Sequence, residues 1–444
     1  MLHRRPVRLC LTLSLLAAAF AVPAAATPRA PFAALDLARI AVGTVSAPVQ
    51  RTYAVPPGAV LAGVTWAAGD ATVSVRDAAG AWEDLDNDPR ELGGRPGTEP
   101  YWLARAARAV TLRIDGRASD VRVDFVGAGE PARAKAAGTR ELRWLGDVVT
   151  RAGWGADESL RSGRPEYARP KAVIVHHTVT RNDYTAAEAP GLIRAVYRYH
   201  TQSRGWDDVG YNVLVDRFGT VYEGRHGGFE RGVVGSHTAG FNTGTFGVSL
   251  LGNFEEVDTP KPVVDLLART GAWAYEHWGV NPRDRVTLVS KGSPRYPAGT
   301  HVTVSTLSGH RDLGVTACPG KFAYGRLDAL RLAAWRLLHP PAKFSTPEVT
   351  GAPVRTPHPV TVTARLSRVA SWRAAITSED GKEVYAVTEG RRTNVSVSWD
   401  GRLPNGLPAL PGMRFRYRLT ATDPERGPSA PAAGAFDGGI PAGV

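Results

Sequence analysis

The stretch Ser308-Gly-His-Arg-Asp-Leu-Gly-Val-Thr-Ala-Cys-Pro-Gly320 restricts this chain more than any other. His310 and Cys318 stand eight positions apart, with Thr316 between them and Pro319-Gly320 closing a turn. Imidazole and thiolate together are the donor set of a tetrahedral zinc site. Two donors do not complete one. A third is sought where an apolar run delivers histidines at its end, in Val173-Ile-Val-His-His-Thr178. Three protein ligands and one open position describe a catalytic zinc rather than a structural one.

The cysteine count sharpens this reading. The chain has two cysteines, Cys10 and Cys318. Cys10 falls within a segment with the form of an export leader, residues 1–26. Arg4, Arg5 and Arg8 supply its positive region, Leu9 to Val22 a short apolar run, and Ala24-Ala25-Ala26 a small-residue cleavage site. A secreted, cell-wall-associated protein is therefore expected, keeping one thiol and no internal disulfide. A lone thiol in an oxidising compartment survives best as a metal ligand. The leader holds three arginines and no acid, so the formal charge falls from +12 to +9 without it. That balance suits an anionic polymer such as those of a cell wall. No nucleic-acid motif is present, and no run approaches the roughly 18 apolar residues of a membrane span.

A length of 444 residues points to several domains. Residues 27–130 alternate in short β runs such as Ala71–Arg76, Ala109–Ile114 and Val121–Phe125, with turns expected at Asp77–Gly80 and Asp115-Gly116. Residues 131–145 have linker character, and so does the Ala/Gly-rich run from Gly127 to Thr139 that overlaps them. The segment 146–340 interleaves strands and helices. A buried strand is expected at Lys171–His176, a helix at Thr185–Ser203, and a hairpin about Asp216–Gly219. Another strand is expected at Phe246–Leu251, with helices at Lys261–Trp278 and Ala323–Leu338. A Pro-rich linker (341–358), a second β-rich segment (359–430) and a flexible tail (431–444) follow. The fold class expected is multidomain: a central α/β domain, its mixed β-sheet packed with helices, flanked by two β-sandwich-like domains. The last of these resembles immunoglobulin-like modules of bacterial wall proteins.

The central segment resembles the type-2 N-acetylmuramoyl-L-alanine amidases and the peptidoglycan recognition proteins. Arg151-Ala-Gly-Trp-Gly155, Val173–Thr178, Gly205-Trp-Asp-Asp-Val-Gly-Tyr-Asn212, Gly235-Ser-His-Thr-Ala-Gly-Phe-Asn242, Phe246–Gly252 and Gly309–Gly320 carry the likeness, in that order. The resemblance implies a Zn²⁺ site made by His176, His310 and Cys318. Adjacent strand side chains face opposite ways, so only one of His176 and His177 can reach the metal. The family register favours His176 and leaves His177 as a core or supporting group. Tyr211 falls where the family has a catalytic tyrosine, and Thr316 where relatives carry Lys or Thr as a supporting donor. Asp312 either orients a ligand imidazole or caps its loop. His237, Thr238, Asn242 and Arg225 fall in segments that line the sugar-peptide groove in relatives.

The activity implied is hydrolysis of the amide between N-acetylmuramic acid and the L-alanine of the peptidoglycan stem. The competing reading is a peptidoglycan-binding receptor of the same fold without catalysis. Such relatives typically lose the cysteine ligand, and Cys318 is present here. The β-rich flanks contain no catalytic constellation, and an accessory role is expected for them.

Overall fold

The computed structural model describes residues 35–76, 80–88, 94–132, 138–355 and 358–439. The leader, residues 77–79 of the first expected turn and the last residues of the tail lie outside the described residues.

The strand Ala172–His177 is the axis of the central sheet. It runs parallel to Thr245–Leu250 on one side and to Leu307–Gly309 on the other. All six of its residues are buried, as a near-continuous apolar run between two parallel neighbours requires. The seven strands stand in the order Thr139–Leu142, Gly146–Val149, Val221–Glu223, Val213–Val215, Thr245–Leu250, Ala172–His177, Leu307–Gly309. The sheet is mixed, because the hairpin about Asp216 inserts an antiparallel pair. Val173 and Val175 pack on one face against Lys261–Trp278 and Leu327–Leu338. The first of these helices stops where Gly279 adopts φ 74° and returns its N–H to the last turn. The other face packs against Ala189–Arg198.

Several expectations need correction here. The helix expected over 185–203 is α-helical only from Ala189 to Arg198 and widens into a π turn over Tyr199–Ser203. The helix expected over 323–338 is two, Lys321–Gly325 and Leu327–Leu338, meeting at Arg326. Thr139–Leu142, expected within a linker, is an edge strand of the central sheet. Ala128 is buried, and its carbonyl accepts from Arg194 Nε at 3.1 Å, so the run after Gly127 begins packed.

The N-terminal region is organised by one 19-residue strand, Ala109–Gly127. It pairs antiparallel with Leu37–Val45, Val49–Ala54, Ala59–Thr65 and Ala68–Arg76. No turn forms at Asp115-Gly116. Gly116 sits at φ 130°, and a Cβ there would meet the Asp70 carbonyl oxygen at 2.4 Å. Glycine thus lets the strand run on where another residue would turn it away.

In the C-terminal region Val360–Ser378 pairs with Val384–Trp399 and with Arg414–Asp423. Glu348–Thr350, expected within the Pro-rich linker, is an edge strand of this sheet. The expected tail is ordered in part: Ala432–Asp437 pairs with Arg414–Leu419. Its run of Ala and Gly reads as tail composition, but the strand completes a sheet whose partner supplies the apolar side chains.

The N-terminal and central sheets share a core. Val60, Leu61, Trp102 and Val126 pack with Leu192, Ile193, Val196 and Tyr199. Gly63 allows the approach, since a Cβ on it would lie 2.3 Å from the Tyr199 ring. The Tyr199 hydroxyl donates to the Thr98 carbonyl at 2.7 Å. Buried Arg204 donates from Nε to the Arg95 carbonyl and lies over Trp206. Among the described residues no helix is long and apolar enough to cross a membrane.

Candidate metal centre and its cleft

His176 is the penultimate residue of one parallel strand, and His310 begins the short turn after the neighbouring one. Carboxyl ends of adjacent parallel strands are where open α/β sheets gather ligand groups. The two rings lie 4.6 Å apart. The turn that follows brings Cys318 back, with Arg311 N–H donating to the Cys318 carbonyl at 2.9 Å. Donor atoms of His176, His310 and Cys318 all fall within 4.8 Å of one another.

The strand alternation separates the two adjacent histidines. His176 shares its face with Ile174, whereas His177 follows Val175 and accepts at Nδ1 from the Phe254 N–H at 3.2 Å. His177 also donates its backbone N–H to Cys318 Sγ at 3.3 Å. It is a support for the thiol rather than a member of the donor set.

The set can be tested against the metal it implies. Zn–S of about 2.3 Å and Zn–N of about 2.0–2.1 Å at tetrahedral angles put sulfur and nitrogen about 3.6 Å apart. Cys318 Sγ lies 3.7 Å from His176 Nδ1. The other ring nitrogen, Nε2, lies 3.0 Å from His237 Nδ1, which fixes which nitrogen faces Cys318. Burial holds the imidazoles neutral: it pushes His310 down to about 4, His177 and His237 to about 3, and His176 well below its usual value. Neutral rings present free lone pairs. Burial, with the charges of Glu99 and Asp86 nearby, pushes the Cys318 thiol up, against the opposing His177 N–H. A cation that binds as thiolate ligand must therefore displace its proton. The residues fit zinc.

These groups form the floor of a cavity of about 980 Å³, which Tyr211 and His237 also line. The Tyr211 and His176 rings are 5.3 Å apart. His237 belongs both to the cavity and to the support of His176. Gly247 makes its position possible, since a Cβ there would meet the His237 ring at 2.6 Å.

Other expected site residues have different places. Thr238, Asn242 and Arg225 do not line the cavity. Asn242 Oδ1 accepts from the N–H groups of His237 and Thr238, at 2.7 and 2.9 Å, and so shapes the turn behind the wall. Arg225 is buried, with Nη1 3.3 Å from Ser236 Oγ. Asp312 caps its loop and orients no imidazole. Its Oδ2 accepts from Gly309 N–H at 2.9 Å and its Oδ1 from the Tyr324 hydroxyl at 2.6 Å. Thr316 lines the cavity, but its hydroxyl donates to Asp86 Oδ2 at 2.8 Å and accepts from Cys318 N–H at 3.0 Å. That proton is committed to a carboxylate, so Thr316 anchors the ligand turn.

Asp86 introduces what sequence reasoning missed. Trp66, Asp86, Glu99, Tyr101 and Trp102 of the N-terminal region form the opposite side of the same cavity. Trp102 Nε1 donates to the Thr178 carbonyl at 2.8 Å, just beyond the ligand-bearing strand. The region expected to be accessory is a wall of the cleft. No motif announces this, and the signal available was only an aromatic cluster, Tyr101-Trp102, near Glu99-Pro100.

The central segment of the chain is similar to known proteins. The family profile described as N-acetylmuramoyl-L-alanine amidase matches residues 166–321. Peptidoglycan-recognition protein LE of Drosophila melanogaster is 36% identical over 110 residues, which are 25% of this chain and 31% of that protein. Peptidoglycan-recognition protein SC1a of the same organism is 30% identical over 181 residues, 40% of this chain and 83% of that protein. The N-acetylmuramoyl-L-alanine amidase of Homo sapiens is 34% identical over 179 residues, 39% of this chain and 26% of that protein. The match thus spans most of the length of the second but about a third or less of the first and third. The chain belongs to the family of peptidoglycan recognition proteins and type-2 N-acetylmuramoyl-L-alanine amidases.

Proposed function

We propose that the chain is an exported, zinc-dependent amidase cutting the bond between N-acetylmuramic acid and the L-alanine of the peptidoglycan stem. The observation that carries this reading is the convergence of His176, His310 and Cys318 within 4.8 Å, on the floor of a cavity that also holds Tyr211. Recognition alone does not require two neutral imidazoles and a protected thiol aimed at one point.

The three residues would hold the ion, whose chemistry there is Lewis acidity toward a carbonyl oxygen and activation of water near neutral pH. His237 holds Nε2 of His176, so that Nδ1 is presented toward Cys318. Tyr211, whose ring lies 5.3 Å from that of His176, would donate to the amide oxygen as it gains negative charge. Thr316 and Asp86 hold the turn that carries Cys318. Trp102 and Tyr101 close the other side and limit bulk water. Binding of the glycan-peptide, rather than a small amide, suits a cavity of this size.

The test is digestion of purified peptidoglycan by the protein with zinc, beside Cys318→Ser and a chelated sample, read by mass spectrometry. Free stem peptides beginning with L-alanine, absent from both controls, are expected. Retention on the wall with no peptide released gives the case to recognition without catalysis.

A further inference from the structure

The outer face of the C-terminal sheet carries a row of exposed arginines. Along Arg414–Asp423 the inward positions Phe415, Tyr417, Leu419 and Ala421 are buried, and Arg414, Arg416 and Arg418 alternate with them on the exposed face. Successive arginines are therefore about 7 Å apart on one line. Strand register sets small side chains beside two of them, Ala375 and Ala433 beside Arg418 and Thr377 and Ala435 beside Arg416, while Asp437 stands opposite Arg414. Arg391 lies on the same face, opposite Ser371, and Arg373 there is paired with Glu389 at 3.3 Å. Among the described residues, Arg391, Arg414, Arg416 and Arg418 have no ion-pair partner within 4.0 Å.

The fold gains nothing from like charges set in a line, which repel one another. A guanidinium presents a planar fork of donors matched to phosphate oxygens. A shallow floor of Ala and Thr lets a chain lie along the row. The face also argues against single-stranded nucleic acid, whose binding surfaces stack bases on aromatic rings. Here the aromatics of these strands, Trp372, Tyr385, Trp399, Phe415, Tyr417 and Phe436, belong to the core on the other side.

We infer that this face binds a linear poly(polyol phosphate), a phosphodiester-linked polyanion without bases, along the Arg414–Arg416–Arg418 row. The site is separate from the metal centre, so its test does not depend on the amidase reading.

The full-length protein is titrated with poly(glycerol phosphate), with oligo(dT) of equal charge, and with phosphatidylglycerol vesicles. The triple variant Arg414→Gln, Arg416→Gln, Arg418→Gln is titrated alongside, and an unchanged unfolding temperature establishes that its sheet is intact. Poly(glycerol phosphate) is expected to bind most tightly. The variant should weaken it on the order of 10²-fold at 0.1 M salt and make the slope of log K against log salt shallower by about 2. The triple Lys variant, which keeps the charge and loses the fork, should fall between. Equal or tighter binding of oligo(dT) or vesicles overturns the inference. So does binding unchanged in the Gln variant, or no binding of poly(glycerol phosphate) at low salt. If the Gln variant unfolds, Ala433→Glu, which puts a carboxylate beside Arg418 on the same face, replaces it, with the same expected direction.

Discussion

The two walls of the cleft differ in how they are made. One is assembled from strand ends and tight turns within residues 166–321, and its functional groups sit in short motifs. The other comes from residues 66–102, in a sheet that docks through a shared apolar core and scattered hydrogen bonds. The first contributes neutral, buried donors, and the second aromatic rings and carboxylates. Chemistry is concentrated in the first wall, while enclosure and support of the ligand turn depend on the second. The donor set of the first wall can thus stay fixed while the neighbouring sheet shapes the space above it.

This comparison can be broken at either wall. Cys318→Ser should reduce amidase turnover and bound zinc to background with a folded protein, read by peptide release and metal analysis. Trp102→Ala attacks the second wall. It removes a buried indole and its bond to Thr178, and should lower stability by about 3–5 kcal/mol in denaturant titration. Turnover should also fall, although no residue of the metal set has changed. If Trp102→Ala leaves turnover intact, the N-terminal wall is only a neighbour.

Finer cuts sharpen the contrast. His237→Ala removes the partner of His176 Nε2, and should weaken zinc affinity and activity together by about 10–100-fold in competition with a chelating dye. Asp86→Ala frees the Thr316 hydroxyl and should cost about three- to fivefold in kcat/KM, with Thr316→Val giving no further loss in the double variant.

The smallest effect concerns pH. Arg105 of the N-terminal region bonds Glu188 of the central domain at 2.6 and 2.9 Å and holds its carboxyl down at about 2 against a usual 4.5. The folded value is the lower, so this pair's contribution is full above about pH 4.5 and is lost as pH falls toward 2. Wild type should therefore lose more thermal stability than Glu188→Gln across that window. Parallel curves would mean that the two walls do not depend on this pair.

Much of the first wall was legible in the chain. His310 and Cys318 as candidate donors, the buried strand carrying His176 and the helix Lys261–Trp278 follow from alternation, helical periodicity and ligand chemistry, whereas the choice of His176 over His177 came from the family resemblance. Asp312 and Thr316 were legible as members of the ligand loop but not in their roles, because a cap and a donor differ only in where the partner lies. Thr316 finds its partner 230 positions away in Asp86. The strand through Asp115-Gly116 and the strand at Ala432–Asp437 were misread for a related reason. Glycine and alanine carry little pattern of their own, and their partner strands determine whether they extend.

The sequence by itself determined which residues could offer metal donors and which elements carry them, since those depend on residue type and local spacing. Only the tertiary structure decided that the cleft has a second wall, that Asn242 and Arg225 stand behind the first, and that Arg391 of another strand shares the open face of Arg414, Arg416 and Arg418. Those facts depend on which sheets pack together and which pairing register they adopt, and distant contacts leave no periodic trace in a single chain.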